Sequence, residues 1–222
     1  PTGYKKLNSK NLPDPTILQP NKHFDVTLYT GSNGTQEIST LNFQPDWLWF
    51  KRRDGTNWNA LFDSVRGRAV GLASNKTNSE YTSSASEDLV SFDNDGFTVG
   101  ANSNWGSVNG SGHSIVTWAW NGGGTTVTNT DGTISAQVRA NTTAGFSIVS
   151  YTGNGSTGTV GHGLGVAPDF YVVKERSSTS AWYIYSKALG ATKTIRLNEN
   201  FAVATDDIWQ DTAPSSTVFY LS

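Results

Sequence analysis

The 222-residue chain contains no cysteine. Disulfide frameworks, thiolate metal sites and cysteine nucleophiles are therefore excluded, and the fold must be held by its core alone. Charge is scarce too: charged residues make up 15% of the chain, the net charge is −2, and Lys and Arg form no cluster. Such a balance excludes a general nucleic-acid binder, which needs a basic face. No apolar run approaches the roughly 18 residues of a membrane-spanning helix, and the N-terminus lacks the charged-then-apolar order of a secretion signal, so no membrane insertion is expected. Methionine is also missing, so either the initiator was removed before Pro1 or the sequence lies within a longer polypeptide.

What the chain has in quantity is aromatic residues, 12% of the total, and 23 glycines. They are distributed in a pattern that repeats. Phe24-Asp25-Val26-Thr27-Leu28-Tyr29-Thr30-Gly31 returns as Phe146-Ser147-Ile148-Val149-Ser150-Tyr151-Thr152-Gly153, and Pro45-Asp46-Trp47-Leu48-Trp49-Phe50-Lys51 returns as Pro168-Asp169-Phe170-Tyr171-Val172-Val173-Lys174, at separations of 122 and 123 residues. Phe62 with Tyr185, Gly67 with Gly190, and Phe97 with Phe219 continue the alignment. A separation held over such a length indicates two copies of one unit. The reading divides the chain into an extended Pro-rich arm (1–22), a first repeat (23–122), a linker with room for a strand (123–144) and a second repeat (145–222). The second repeat has no counterpart of the apolar segment Ser114 to Trp120, so it is expected to lack its last strand and to present an open edge.

Within each copy, short runs rich in Val, Ile, Thr, Tyr, Phe and Trp are bounded by Gly, Asn, Asp and Ser clusters, the signature of strands and turns. No helical period stands out, apart from a short turn near Ala188 to Ala191. Trp47 and Trp49 fall on one face of a strand and Leu48 and Phe50 on the other, so that strand should be buried on both sides. The expected fold is all-β: two tandem antiparallel β-sandwiches, concanavalin- or jelly-roll-like, the second incomplete.

Catalytic chemistry is thin. Gly153-Asn154-Gly155-Ser156-Thr157-Gly158 only approaches a nucleophile elbow and is followed by no helix. Gly161-His162-Gly163-Leu164-Gly165 and Gly122-Gly123-Gly124 open no helix that could cradle phosphate. His23, His113 and His162 have no partners at ligand spacing, and Asp93-Asn94-Asp95-Gly96 lacks the length and later Glu of a calcium loop, so neither metal nor cofactor is expected. Asp46 and Asp169, Lys51 and Lys174, and Arg53 and Arg176 recur between copies and are read as structural. Sequons at Asn33, Asn75, Asn109, Asn141 and Asn154 follow from composition. Flat aromatic faces among polar neighbours can hold sugars, and Trp105, Trp209, Trp58 and Tyr81 stand in or beside such stretches.

Long segments of the sequence also resemble a known family. Thr128-Asn129-Thr130-Asp131-Gly132-Thr133-Ile134, Ala140 through Gly155, and Val160 through Pro168, with Leu61-Phe62-Asp63-Ser64-Val65-Arg66-Gly67 and Val108-Asn109-Gly110-Ser111-Gly112, resemble a repeat of marine bacteriophage structural proteins. The arm Pro1-Thr2-Gly3-Tyr4-Lys5 is similar to the segment that follows a SPRY-like lectin-fold domain in such proteins. The resemblance implies a non-enzymatic component of the virion, an extracellular particle: a tail fibre, spike or surface appendage that contributes architecture and host attachment. It implies other virion subunits as partners, in a homo-oligomer such as a trimer or in a strand-exchanged polymer with the arm filling the open edge. The alternative function is a carbohydrate-binding, lectin-like module for host surface glycans; a polysaccharide-degrading enzyme ranks below both.

Overall fold

A computed structural model describes residues 15–102 and 108–222. The chain is all-β, and no described helix is long and apolar enough to cross a membrane. After a single 3-10 turn at Pro20–Lys22, the first half contains nine strands: β1 (Phe24–Thr30), β2 (Gln36–Ile38), β3 (Trp47–Arg52), β4 (Ala60–Asp63), β5 (Val70–Ala73), β6 (Tyr81–Thr82), β7 (Leu89–Asp93), β8 (Gly96–Val99) and β9 (Ser114–Trp120). The second half contains β10 (Val127–Asn129), β11 (Ala136–Asn141), β12 (Phe146–Tyr151), β13 (Gly158–Gly161), β14 (Phe170–Lys174), β15 (Trp182–Ser186), β16 (Lys193–Arg196), β17 (Ala204–Thr205) and β18 (Val218–Leu221).

In the first half, an antiparallel sheet ordered β1-β9-β3-β4-β5-β6 faces a smaller sheet ordered β2-β8-β7. Alternation along each strand sends one set of residues into the space between the sheets. Leu48, Phe50, Phe62, Ile115 and Ala119 come from the larger sheet, Ile38, Leu89, Phe97 and Val99 from the smaller, and together they form one buried cluster. Phe50 meets Phe97 edge-on at 5.4 Å across this core. The result is a β-sandwich. The other face of β3 is covered as well: Trp47 and Trp49 pack with Leu61, Leu72 and Trp182, as expected of a strand buried on both sides. Asp93-Asn94-Asp95-Gly96 is the hairpin turn between β7 and β8, with the Thr98 hydroxyl donating to Asp93 at 2.7 Å.

The second half has a core of Ile134, Ala136, Val138, Val160 and Phe219, bordered by Val149, Tyr151, Tyr171 and Val173. Its sheets are ordered β10-β11-β12, β13-β18 and β14-β15-β16-β17. The stretch 123–144 is no free linker, because β10 and β11 extend β12 into a three-stranded sheet.

The pairings of the two halves match residue for residue. Trp47↔Asp63, Leu48↔Phe62 and Trp49↔Leu61 correspond, 123 residues on, to Phe170↔Ser186, Tyr171↔Tyr185 and Val172↔Ile184. Gln36↔Val99, Glu37↔Thr98 and Ile38↔Phe97 correspond, 122 residues on, to Gly158↔Leu221, Thr159↔Tyr220 and Val160↔Phe219. The connections match as well. The Ser64 amide donates to Asp46 O and the Lys187 amide to Asp169 O, both at 2.9 Å. The Asn59 amide donates to the Asn75 side chain at 2.9 Å, as Trp182 does to Asn198 at 2.8 Å. Gly67 and Gly190 close equivalent turns at φ +97° and +80°, a region that any side chain would strain.

Candidate functional site

The four aromatic residues considered for sugar binding do not form a common platform. Trp105 lies outside the described residues. Trp209, read from its polar neighbours as a loop residue, is instead fully buried at 0% exposure. Its ring meets Tyr171 edge-on at 5.0 Å and its indole N–H donates to Lys193 O at 3.1 Å. The polar residues that follow explain the misreading. Gln210 and Asp211 adopt φ of +52° and +48°, turning the backbone so that the ring alone enters the core. A sugar cannot stack on it. Tyr81 packs edge-on against Phe62 at 6.1 Å, beside the first core, and burial holds its hydroxyl pKa far above the ordinary value. Trp58 is half-buried, with the Lys76 ammonium 5.7 Å from its ring centroid.

Asp63, Glu80 and Asp46 are held in ion pairs. Asp63 is buried; one carboxylate oxygen accepts the amides of Val65 and Arg66 at 3.1 and 2.8 Å, while the other accepts Arg66 Nε at 2.5 Å. From Arg66 the charges continue outward: its guanidinium lies 3.8 Å from Glu80, and Glu80 receives a bidentate pair of hydrogen bonds from Arg176 at 2.8 and 3.0 Å. Arg176 in turn donates to the Ser150 hydroxyl at 2.7 Å. This chain of alternating charge begins in the first half and ends on β12 of the second.

A second polar tie lies close by, with Asp63 near enough to act on Asp46. Asp46 is buried and accepts the Ser64 hydroxyl at 2.9 Å and the Gly122 amide at 2.8 Å, with Arg139 Nε 3.1 Å away as its counter-ion. Desolvation dominates and raises the Asp46 pKa from its ordinary value, although Ser64, Arg139 and Gly122 each pull it back. Apolar contacts join the same two halves. Phe146 stacks on Trp120 at 5.9 Å and meets Trp47 edge-on at 6.5 Å. Trp182 inserts beside Leu61 and Leu72, its N–H shared between Ala73 O at 3.1 Å and Lys76 O at 3.0 Å. The seam is thus a packed, hydrogen-bonded contact of the kind that fixes one half against the other.

Among the described strands the two halves differ in one pairing. In the first half, β9 lies between β1 and β3 and pairs with both along its length. In the second half, β12 pairs only with β11 and β14 only with β15, so nothing described stands between the counterparts of β1 and β3. On the β14 side burial follows the pairing, whereas on β12 Ile148 is buried and its counterpart Val26 is 43% exposed. Where Trp47 and Trp49 are half-buried, their counterparts Phe170 and Val172 are 58% and 37% exposed. On the core side, Leu48 and Phe50 are buried, whereas Tyr171 and Val173 are only half-buried.

The model of one protein family, described as a domain of unknown function (DUF7483), matches residues 19–222. The chain belongs to that family. No curated protein and no solved structure matches it. The DUF7483 region takes in both halves and the whole seam. In the DUF7483 region His162 is buried, with its ring contacting Ser215 O at 3.2 Å and accepting the Leu164 amide at 3.2 Å. Among the described residues no group of three or more metal-ligating side chains converges. Sequence comparison of the two halves paired Trp182 with Trp58, whereas the hydrogen bonds place it at Asn59; it gave no sign of the seam, to which Trp182 and Arg139 contribute.

Proposed function

We propose that this chain is a non-enzymatic structural protein built on two tandem copies of one jelly-roll-like β-sandwich, and that it serves in a phage virion appendage such as a tail fibre or spike. The observation that carries the reading is the recurrence of strand register and turn hydrogen bonds 122 or 123 residues apart. Serial β-modules locked by packed seams suit a rod that bears load, because each module contacts its neighbour and adds to the stiffness of the whole. Engagement of Asp46, Asp63 and Glu80 in ion pairs across or beside the seam supports a mechanical role for them over a catalytic one. Glycan recognition through Trp209 is inconsistent with its burial, so the architectural reading is preferred to the lectin-like one.

The test is quantitative mass spectrometry of purified particles, with the denaturing intact mass of the polypeptide that carries this sequence. Stoichiometric recovery in the particle is expected. Recovery only from the host lysate, and not from particles, overturns the virion assignment.

A further inference from the structure

We infer that Asn154 is a site of self-modification: in the folded chain its side-chain amide is displaced by the Gly155 nitrogen, and water then leaves an aspartate or isoaspartate in its place. The reaction favours an asparagine followed by glycine, because a residue without a side chain lets its backbone nitrogen close on the asparagine Cγ unhindered. The sequence holds four such pairs, Asn33-Gly34, Asn109-Gly110, Asn121-Gly122 and Asn154-Gly155. Three of them are held apart by the fold. Asn109 is buried; its amide nitrogen donates to Gly34 O at 2.6 Å and Gly100 O at 2.7 Å, and its oxygen accepts the Ser32 amide at 2.9 Å. Asn121 donates to Lys22 O at 3.1 Å and accepts the Gly123 amide at 2.7 Å, while the nitrogen that would attack it, that of buried Gly122, already donates to Asp46 at 2.8 Å. Asn33 is exposed, but its side-chain oxygen accepts the Asn102 amide at 3.0 Å and the Gly34 amide donates to the Ser32 hydroxyl at 3.3 Å. In each pair, side chain and nitrogen meet only if these bonds break.

Asn154 differs at every point. It lies in the exposed turn 152–157 between β12 and β13, and neither its amide nitrogen nor the Gly155 nitrogen has a partner among the described residues. Its side chain makes a single local contact, in which the carboxamide oxygen accepts the Ser156 amide at 3.0 Å. That donor assists the chemistry, since attack on Cγ places negative charge on this oxygen and an N–H already aimed at it stabilises the charge. Gly155, at φ +74°, has open space where a side chain would stand. The step needs no co-reactant but water, and nothing is oxidised or reduced. The Gly155 nitrogen loses its proton to solvent and bonds to Cγ; the Cγ–Nδ2 bond breaks, and the nitrogen leaves as ammonia with a proton from solvent. Water then opens the five-membered imide, at Cγ to give aspartate or at the backbone carbonyl to give isoaspartate. Either product places a carboxylate in a turn, 152–157, that otherwise carries no charged residue.

The experiment incubates the folded chain in mildly alkaline buffer, with the chain unfolded in guanidinium chloride alongside, and follows the four asparagines by peptide mass spectrometry. In the folded chain Asn154 is expected to convert about tenfold or more faster than Asn33, Asn109 or Asn121, and in the unfolded chain all four should convert at similar rates. Hydroxylamine, which cleaves the imide, should cut the folded chain between Asn154 and Gly155 alone. Asn154→Gln, at an exposed turn position, should keep the circular dichroism of the parent and remove the conversion seen in the folded chain. Equal rates at the four pairs in the folded chain, an Asn154 that outlasts the other three, or undiminished conversion in Asn154→Gln overturns the inference. None of these outcomes bears on particle location, so the two proposals fail separately.

Discussion

The two halves of the molecule share their turns and strand registers yet differ in what surrounds them. Trp47 in the first half sits under the seam with β9 at its side, and its counterpart Phe170 has neither neighbour. Asp46 is buried against Ser64, Gly122 and Arg139, while Asp169, at the same place in its copy, is 72% exposed and holds only Lys187. Hydrogen bonds such as Ser64 to Asp46 O and Lys187 to Asp169 O are made within one half, so they survive a change of surroundings. Burial depends on strands and faces contributed from far along the chain, and so it does not.

The sharpest way to break the comparison is to strip the seam. Trp182→Ala removes a buried ring and both of its hydrogen bonds to Ala73 O and Lys76 O, and should cost about 3–5 kcal/mol in denaturant unfolding. Phe170→Ala, at the exposed position, should change stability little. Equal losses in the two variants would mean that Phe170 is covered in solution.

The aspartate pair sharpens the same contrast at smaller scale. Asp46→Ala leaves the Arg139 guanidinium partly buried without its counter-ion, and about 3 kcal/mol of destabilisation is expected. Asp169→Ala removes an exposed ion pair and should leave the unfolding midpoint where it was. The glycine pair is the control in which the halves should agree. Gly67→Ala and Gly190→Ala each place a side chain at positive φ with no atom nearby to clash, so both should cost about 1 kcal/mol from backbone strain alone. A large difference between them would show that the turns are not equivalent.

How much of this was legible in the sequence depended on the range of the interaction. Strands, turns and the two-faced burial of Trp47 to Phe50 all follow from local pattern. The burial of Trp209 did not, because its neighbours Gln210 and Asp211 are polar and its counterpart in the first copy is Glu87; only the left-handed backbone at those two positions sends the ring inward. The seam was equally hidden. Arg176 repeats Arg53, and the repetition itself suggested a role inside each copy, whereas its partner Glu80 belongs to the other half and has Val203 as its own counterpart. Repetition identifies what each unit needs to fold and is blind to what joins one unit to the next.

The smallest predicted effect concerns a titrating difference between the copies. His162 occupies the place that Thr40 holds in the first half, where the Thr40 and Thr27 hydroxyls lie 2.7 Å apart. Burial lowers the His162 pKa below its ordinary 6.5, opposed by the contact to Ser215 O and by Asp131. The unfolded chain therefore takes up the proton first as pH falls, and between 6.5 and the lower folded value it binds more protons than the native state. The neutral imidazole's contribution is thus complete at neutral pH, declines as the solution is acidified through that window, and is level below it. His162→Thr, which gives the second half the side chain of the first, should flatten this part of the stability profile. Urea midpoints for parent and variant at several pH values from neutral to mildly acidic decide the matter: the gap between them should change with pH, and a constant gap would mean that His162 does not stay neutral on folding.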